Sequence, residues 1–222
     1  MNNYQIKVLA ATLMLGDHIA YIFQNHEMNR YLFLLHLIGR LSFPLFAWLL
    51  VQGESHTRNF WLYLCRLIIL GIISQSIYTN VSNSTSLNIL FTLSLALICL
   101  RIARLKPKFQ ILVWLPATIL AEGAGLEYGA YGIVLIYLVK LMTISSNWLI
   151  GVGLWIGLHI LYLWQIISSD TGNLAQVLTI FAPILFKLAN YEQGRRTYFF
   201  YIFYPLHLLI LLLVKMSLKL EV

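Results

Sequence analysis

Residues 6–23, IKVLAATLMLGDHIAYIF, form an apolar run with Asp17 and His18 side by side about two-thirds of the way along it. The next run, residues 31–52, reads YLFLLHLIGRLSFPLFAWLLVQ and holds His36 and Arg40. Both approach the roughly 20 residues a membrane-spanning helix needs. Ionisable groups inside such spans are costly in lipid, so they face a bundle interior or a wet cavity and mark functional sites. The two stretches read as membrane helices with chemistry between them.

The rest of the chain has the same character. Of 222 residues, 60% are hydrophobic and 10% charged, and mean hydropathy is +0.79. A soluble domain carries roughly 25% charged residues, so this chain has too few to cover a water-facing surface. Its net charge of +7 comes from basic residues scattered along the chain, between and within the apolar runs, rather than gathered on one soluble face. That distribution fits lipid headgroups and the insertion rule, and it excludes a single nucleic-acid-binding face. Cys65 and Cys99 both fall within apolar segments, which gives no disulfide framework and no metal-ligand spacing. Only Lys7 precedes the first hydrophobic stretch, and no small-residue cleavage pattern follows it, so a retained helix is expected.

Apolar runs recur at 6–23, 31–52, 60–79, 88–103, 109–121, 129–144, 147–167, 174–189 and 198–216. They predict an all-α polytopic integral membrane helix bundle of about nine transmembrane helices (8–10). It forms a single domain over residues 1–222. The fifth run is short enough to be re-entrant. Loop signals separate the runs at 25–27, 80–84, 106–108, 168–170 and 192–194. Counting alternate sides, eleven Lys and Arg residues fall on the face that holds Lys7, and three (Arg30, Lys215 and Lys219) on the other. Glu27, Glu122, Glu127, Asp170 and Glu221 share that second face, and Arg40 stays inside. This bias predicts a cytoplasmic N-terminus. At about 1.5 Å per residue, Asp17 and His18 then lie about 9 Å and 8 Å below the outer surface, and His36 and Arg40 about 8 Å and 14 Å.

Asp17 and His18 are about 100° apart on a helix, so Asp17 needs a partner from elsewhere, and Arg40 is the obvious one. Such a pair either fixes helix packing or sets the charge of a nearby imidazole. His36 shares a helix face with Arg40 at i,i+4. The neighbouring cation favours a neutral imidazole able to accept a proton. His207 follows Pro205 in the last run and is either an interhelical hydrogen-bonding residue or part of the site. His159, isolated among apolar residues, reads as packing. The stretch 52–59, with His56 and Arg58, joins Arg66 in a basic rim that suits phosphate as well as insertion. Walker, dinucleotide-fingerprint and HExxH patterns do not occur.

These residues in this order resemble the TraX family of membrane proteins. The matching stretches are Met14–Ile19, Ile38–Ala47, Gly53 with His56–Asn59, Asn88–Leu93, Tyr128–Gly132 and Phe200–Leu208. Gln52 stands where the family pattern more often carries glutamate, and Glu127 where it more often carries aspartate. The family takes its name from a protein associated with acetylating pilin at its N-terminal amine. It is similar to transmembrane acyltransferases that move acyl groups from cytosolic coenzyme A to external acceptors.

The resemblance implies an acetyl-CoA-dependent acyltransferase in a bacterial cytoplasmic (inner) membrane, acting on a peptide amine or a sugar hydroxyl. His18 is the expected base or acyl carrier, with Asp17, Arg40, His36 and His207 around it. Arg58, Arg66, His56, Arg195 and Arg196 are the expected coenzyme A ligands, and Glu127 (or Glu122) and Asn88 face the acceptor. The cofactor expectation is acetyl-CoA as co-substrate, with no metal. The expected partners are the lipid bilayer, the acyl-CoA and the acceptor, with no nucleic acid; an oligomer is compatible. A proton-coupled transporter would also place Asp, His and Arg in the membrane. A non-catalytic pilus or envelope assembly partner is the third class.

Overall fold

The computed structural model describes residues 1–23, 29–144, 148–169, 172–195 and 199–218. Arg196, Glu27, Asp170, Lys219 and Glu221, together with parts of the loops expected at 25–27 and 168–170, lie outside them. The described elements are helical. In order they are α1 (Asn3–Phe23), α2 (Arg30–Gly39), α3 (Ser42–His56), α4 (Phe60–Ser82), α5 (Ile89–Leu105), α6 (Gln110–Gly123), α7 (Gly129–Ile144) and α8 (Trp148–Ser169). A 3₁₀ segment (Leu174–Phe181), α9 (Ala182–Lys187) and α10 (Phe199–Ser217) complete the bundle. Among the described residues five helical segments are long and apolar enough to cross a membrane: α1, α2–α3 taken together, α4, α8 and α10.

Among the described residues five asparagines start helices. Asn2, Asn29, Asn59, Asn88 and Asn173 each accept a hydrogen bond from a backbone N–H of the following turn, at 2.9–3.1 Å. These caps satisfy donors that a helix N-terminus leaves without partners. At the other end of α4, Asn83 takes a left-handed φ of 49°. There the Lys215 ammonium of α10 donates to the Asn80 and Val81 carbonyls, placing a cation at the helix's negative end.

The second apolar run is two helices, and Pro44 explains why. Proline has no N–H, and its ring clashes with the carbonyl four residues back. That carbonyl belongs to Arg40, where α2 stops and α3 begins. Pro205, by contrast, sits inside an uninterrupted α10.

Of the five candidate membrane spans, α2–α3 is the most buried in its apolar stretch and α8 the least, so α3 is central and α8 peripheral. α3 packs on α1, α5, α7 and α9, while α10 packs on α1 and α4. Trp48, Leu97, Ile136 and Phe186 fill the centre, each almost wholly buried.

α1 and α2 touch backbone to backbone at Gly39. A Cβ there would lie 2.6 Å from Asp17 Cβ and 2.8 Å from Asp17 Cα. Gly39→Ala is therefore expected to destabilise the bundle by about 1–3 kcal/mol, as overpacking does. Thermal unfolding in detergent measures it, and an unchanged midpoint would mean the helices separate freely at that point.

Candidate active site

The break at Arg40 aims its guanidinium at α1. Arg40 Nε donates to Asp17 Oδ1 at 3.0 Å, and Nη2 donates to Oδ2, a two-pronged, charge-assisted pair. His36 Nδ1 lies 2.8 Å from Asp17 Oδ1. Its Nε2 lies 2.9 Å from Asn173 Nδ2. Asn173 Oδ1 is already committed to capping the 3₁₀ segment, so the amide nitrogen must face His36. His36 therefore carries its proton on Nδ1, toward the carboxylate. His36 thus sits between Asp17 and Asn173, away from the cavity, where it holds Asp17 in place. Asn173 gave no sign of this reach in the sequence.

His18 turns away from Asp17 toward α10. His18 Nδ1 and His207 Nε2 are 2.9 Å apart. The rings are 5.1 Å apart at 5°, a spacing that fits an in-line hydrogen bond between nearly coplanar imidazoles. His207 Nδ1 is 2.7 Å from the Phe203 carbonyl. A carbonyl only accepts, so His207 is protonated at Nδ1, its Nε2 accepts, and His18 donates from Nδ1. The lone pair of neutral His18 is thereby fixed on Nε2. Half-buried His18 lines a cavity of about 650 Å³.

That cavity joins two chemically different ends. Lys7, His56, Arg58, Arg66 and Arg195 line the mouth, and Asp17, His18, Glu127 and Tyr128 line the inner end. Phe43, Phe46, Leu49 and Leu93 contribute apolar wall between them. His36, Arg40, His207 and Asn88 are not among the lining residues. Asn88 is instead a structural tie. It caps α5, and its Nδ2 donates to the Gly71 carbonyl and to Gln75 Oε1, each at 2.8 Å. His159 is engaged by the Trp155 carbonyl and Thr179 Oγ1, as its packing reading expects. Glu122 accepts from the Ala130 N–H at the start of α7.

Tyr128 is the residue that sequence reasoning missed. It stacks on Phe43 with ring centroids 4.1 Å apart. Its φ of 65° is a left-handed conformation that costs a non-glycine residue about 1–2 kcal/mol, and such outliers cluster at functional sites. A short pairing of Leu87 with Leu126 braces the connection around it. Arg40 Nη1 approaches Tyr128 Oη at 3.5 Å, which leaves the phenolic hydrogen to point elsewhere. In the same connection, burial pushes the Glu127 carboxyl up to about 7, against the opposing pull of Arg40. Among the described residues, Glu127 Oε2 and the Tyr204 hydroxyl are buried without hydrogen-bond partners, and both residues line the cavity.

Glu54, also unremarked in the sequence, separates structural cations from available ones. It is buried, with Arg101 Nε at 3.0 Å and Arg104 Nε at 3.4 Å from its Oε1. Neither arginine lines the cavity.

The family described as TraX protein matches residues 2–215. The chain is also similar to a Dichelobacter nodosus protein described as "Probable fimbrial assembly protein FimC, serogroup H1". The two are 29% identical over 238 aligned residues, covering 97% of this chain and 96% of that one. No solved structure matches the chain. With a match running over nearly its whole length, the chain belongs to the TraX family.

Proposed function

We propose that this protein is a membrane-embedded acyltransferase, taking an acetyl group from cytosolic acetyl-CoA and passing it to an acceptor amine or hydroxyl. The observation that carries this reading is the single cavity joining a cationic mouth to His18, whose Nδ1 is engaged by His207. In this reading nine segments span the bilayer of a bacterial inner membrane, with the N-terminus cytoplasmic and the mouth facing coenzyme A. The segment 174–187 supports the count. Eight 3₁₀ residues at about 2.0 Å and six α residues at about 1.5 Å reach about 25 Å, near the hydrocarbon thickness of about 30 Å.

The phosphates sit against Arg58, Arg66 and Arg195, with the thioester drawn inward to His18. His18 Nε2 removes the acceptor proton as the acceptor's N or O attacks the thioester carbonyl. The C–S bond then breaks, and the imidazolium returns the proton to the departing thiolate. The Tyr128 hydroxyl, backed by Arg40, donates to the oxyanion. Glu127 and Tyr204, each with an atom to offer, hold the acceptor's N–H or O–H group.

Purified protein in detergent, given labelled acetyl-CoA, is expected to bind it and hydrolyse it slowly, with water standing in for the acceptor. Absence of both binding and hydrolysis would overturn the reading. A non-catalytic part in fimbrial assembly is the second reading, favoured by the description of the Dichelobacter nodosus relative as a probable fimbrial assembly protein. It is the one left standing if acetyl-CoA is ignored while loss of the protein still removes fimbriae.

A further inference from the structure

Lys7 has a position that no role given so far uses. Asn3, Lys7, Met14 and His18 recur at intervals of four, seven and four along α1, and all four line the cavity. That spacing keeps them on one face of the helix. Small Ala10 and Ala11, both buried, occupy the turn between Lys7 and Met14. Lys7 is half-buried, and among the described residues its ammonium makes no ion pair or hydrogen bond. An ammonium drawn partly out of water without a counter-ion is costly. The acids lining this cavity are Asp17 and Glu127, both at the inner end, and Asp17 is already taken by Arg40. Arg58, Arg66 and Arg195 share the mouth with Lys7. Arg66 lies over the Tyr201 ring, 5.4 Å from its centroid, which leaves its N–H edges available to an anion.

The helix is also a ruler. Eleven residues separate Lys7 from His18, a rise of about 16 Å. From phosphorus to sulfur, a phosphopantetheine arm is a linear chain of about thirteen bonds; at about 3.5 Å per three bonds, the reach of an extended backbone, it spans about 15 Å. We propose that Lys7 seats the phosphate at the head of a phosphopantetheine thioester, so that the length of the arm brings the thioester to His18. The inference rests on the acyltransferase reading and extends it: the donor is recognised at the 4′-phosphate by α1, with the arginines left for the remaining phosphates of coenzyme A.

Affinities of the purified full-length protein for coenzyme A, 4′-phosphopantetheine and pantetheine test this directly. The unaltered protein is expected to bind phosphopantetheine well above pantetheine. Lys7→Ala is expected to weaken phosphopantetheine binding by about 10–150-fold, the range for a charge-assisted phosphate contact, with pantetheine binding unchanged. Lys7→Gln, which keeps most of the stem against the wall, is expected to show the same loss, and Lys7→Arg to restore affinity. If coenzyme A binds but Lys7→Gln keeps the full preference for phosphopantetheine, the assignment of Lys7 fails and the acyltransferase reading stands. If phosphatidylglycerol micelles displace bound coenzyme A and phosphopantetheine does not, the mouth belongs to a lipid headgroup and the inference falls. If the unaltered protein binds no coenzyme A, the acyltransferase reading falls first and this inference with it.

Discussion

His18→Ala is expected to slow acetyl-CoA turnover by about 10²–10⁴-fold, the contribution a positioned general base makes, while acetyl-CoA still binds. Binding survives because the cationic mouth lies about 16 Å along α1 from the replaced ring. The loss is large because no other imidazole reaches the inner end of the cavity. Neither His36 nor His207 lines it, and His56 sits at the mouth. Labelled acetyl-CoA, followed for both retention and hydrolysis, separates the two quantities. Turnover equal to that of the unaltered protein would remove His18 from the mechanism.

Asp17→Ala is expected to destabilise the protein by about 3–5 kcal/mol, because removing one partner of a buried pair strands the other charge. The stranded group is the Arg40 guanidinium, held by two hydrogen bonds to that carboxylate, and His36 loses its Nδ1 neighbour as well. A second substitution, Arg40→Met, is expected to recover much of the loss, since an apolar side chain of similar length has no charge to desolvate. A double-mutant cycle from unfolding in detergent measures the coupling. An Asp17→Ala protein as stable as the unaltered one would mean that water already reaches Arg40, as would a double variant no better than the single.

The Asp17–Arg40 pairing was legible in the sequence because a helix converts residue number into depth, which places both residues within adjacent spans. The His18–His207 contact was not, since it depends on α1 and α10 being neighbours across 189 positions. The basic mouth was legible as charge, but its division was hidden: Arg101 and Arg104 are tied to Glu54, while Arg58, Arg66 and Arg195 line the cavity. Hydropathy located each apolar run because lipid selects composition. It did not distinguish a continuous helix from the one broken at Arg40, nor an α-helix from the 3₁₀ segment after Asn173. Tyr128 was invisible as a site residue because a positive φ leaves no mark on a tyrosine's identity.

The charge shared between Asp17 and Arg40 also bears on how the chain is made. Asp17 lies deep in the first span and Arg40 deep in the second, and neither span alone can neutralise its own group in hydrocarbon. Entry as a hairpin, with the pair closed before lipid surrounds it, would remove that cost. The contact from Asn173 to His36 closes only after the following 137 residues have been synthesised. On that route the nascent protein has an early lock, formed by the hairpin, and a late one that reports completion of the bundle.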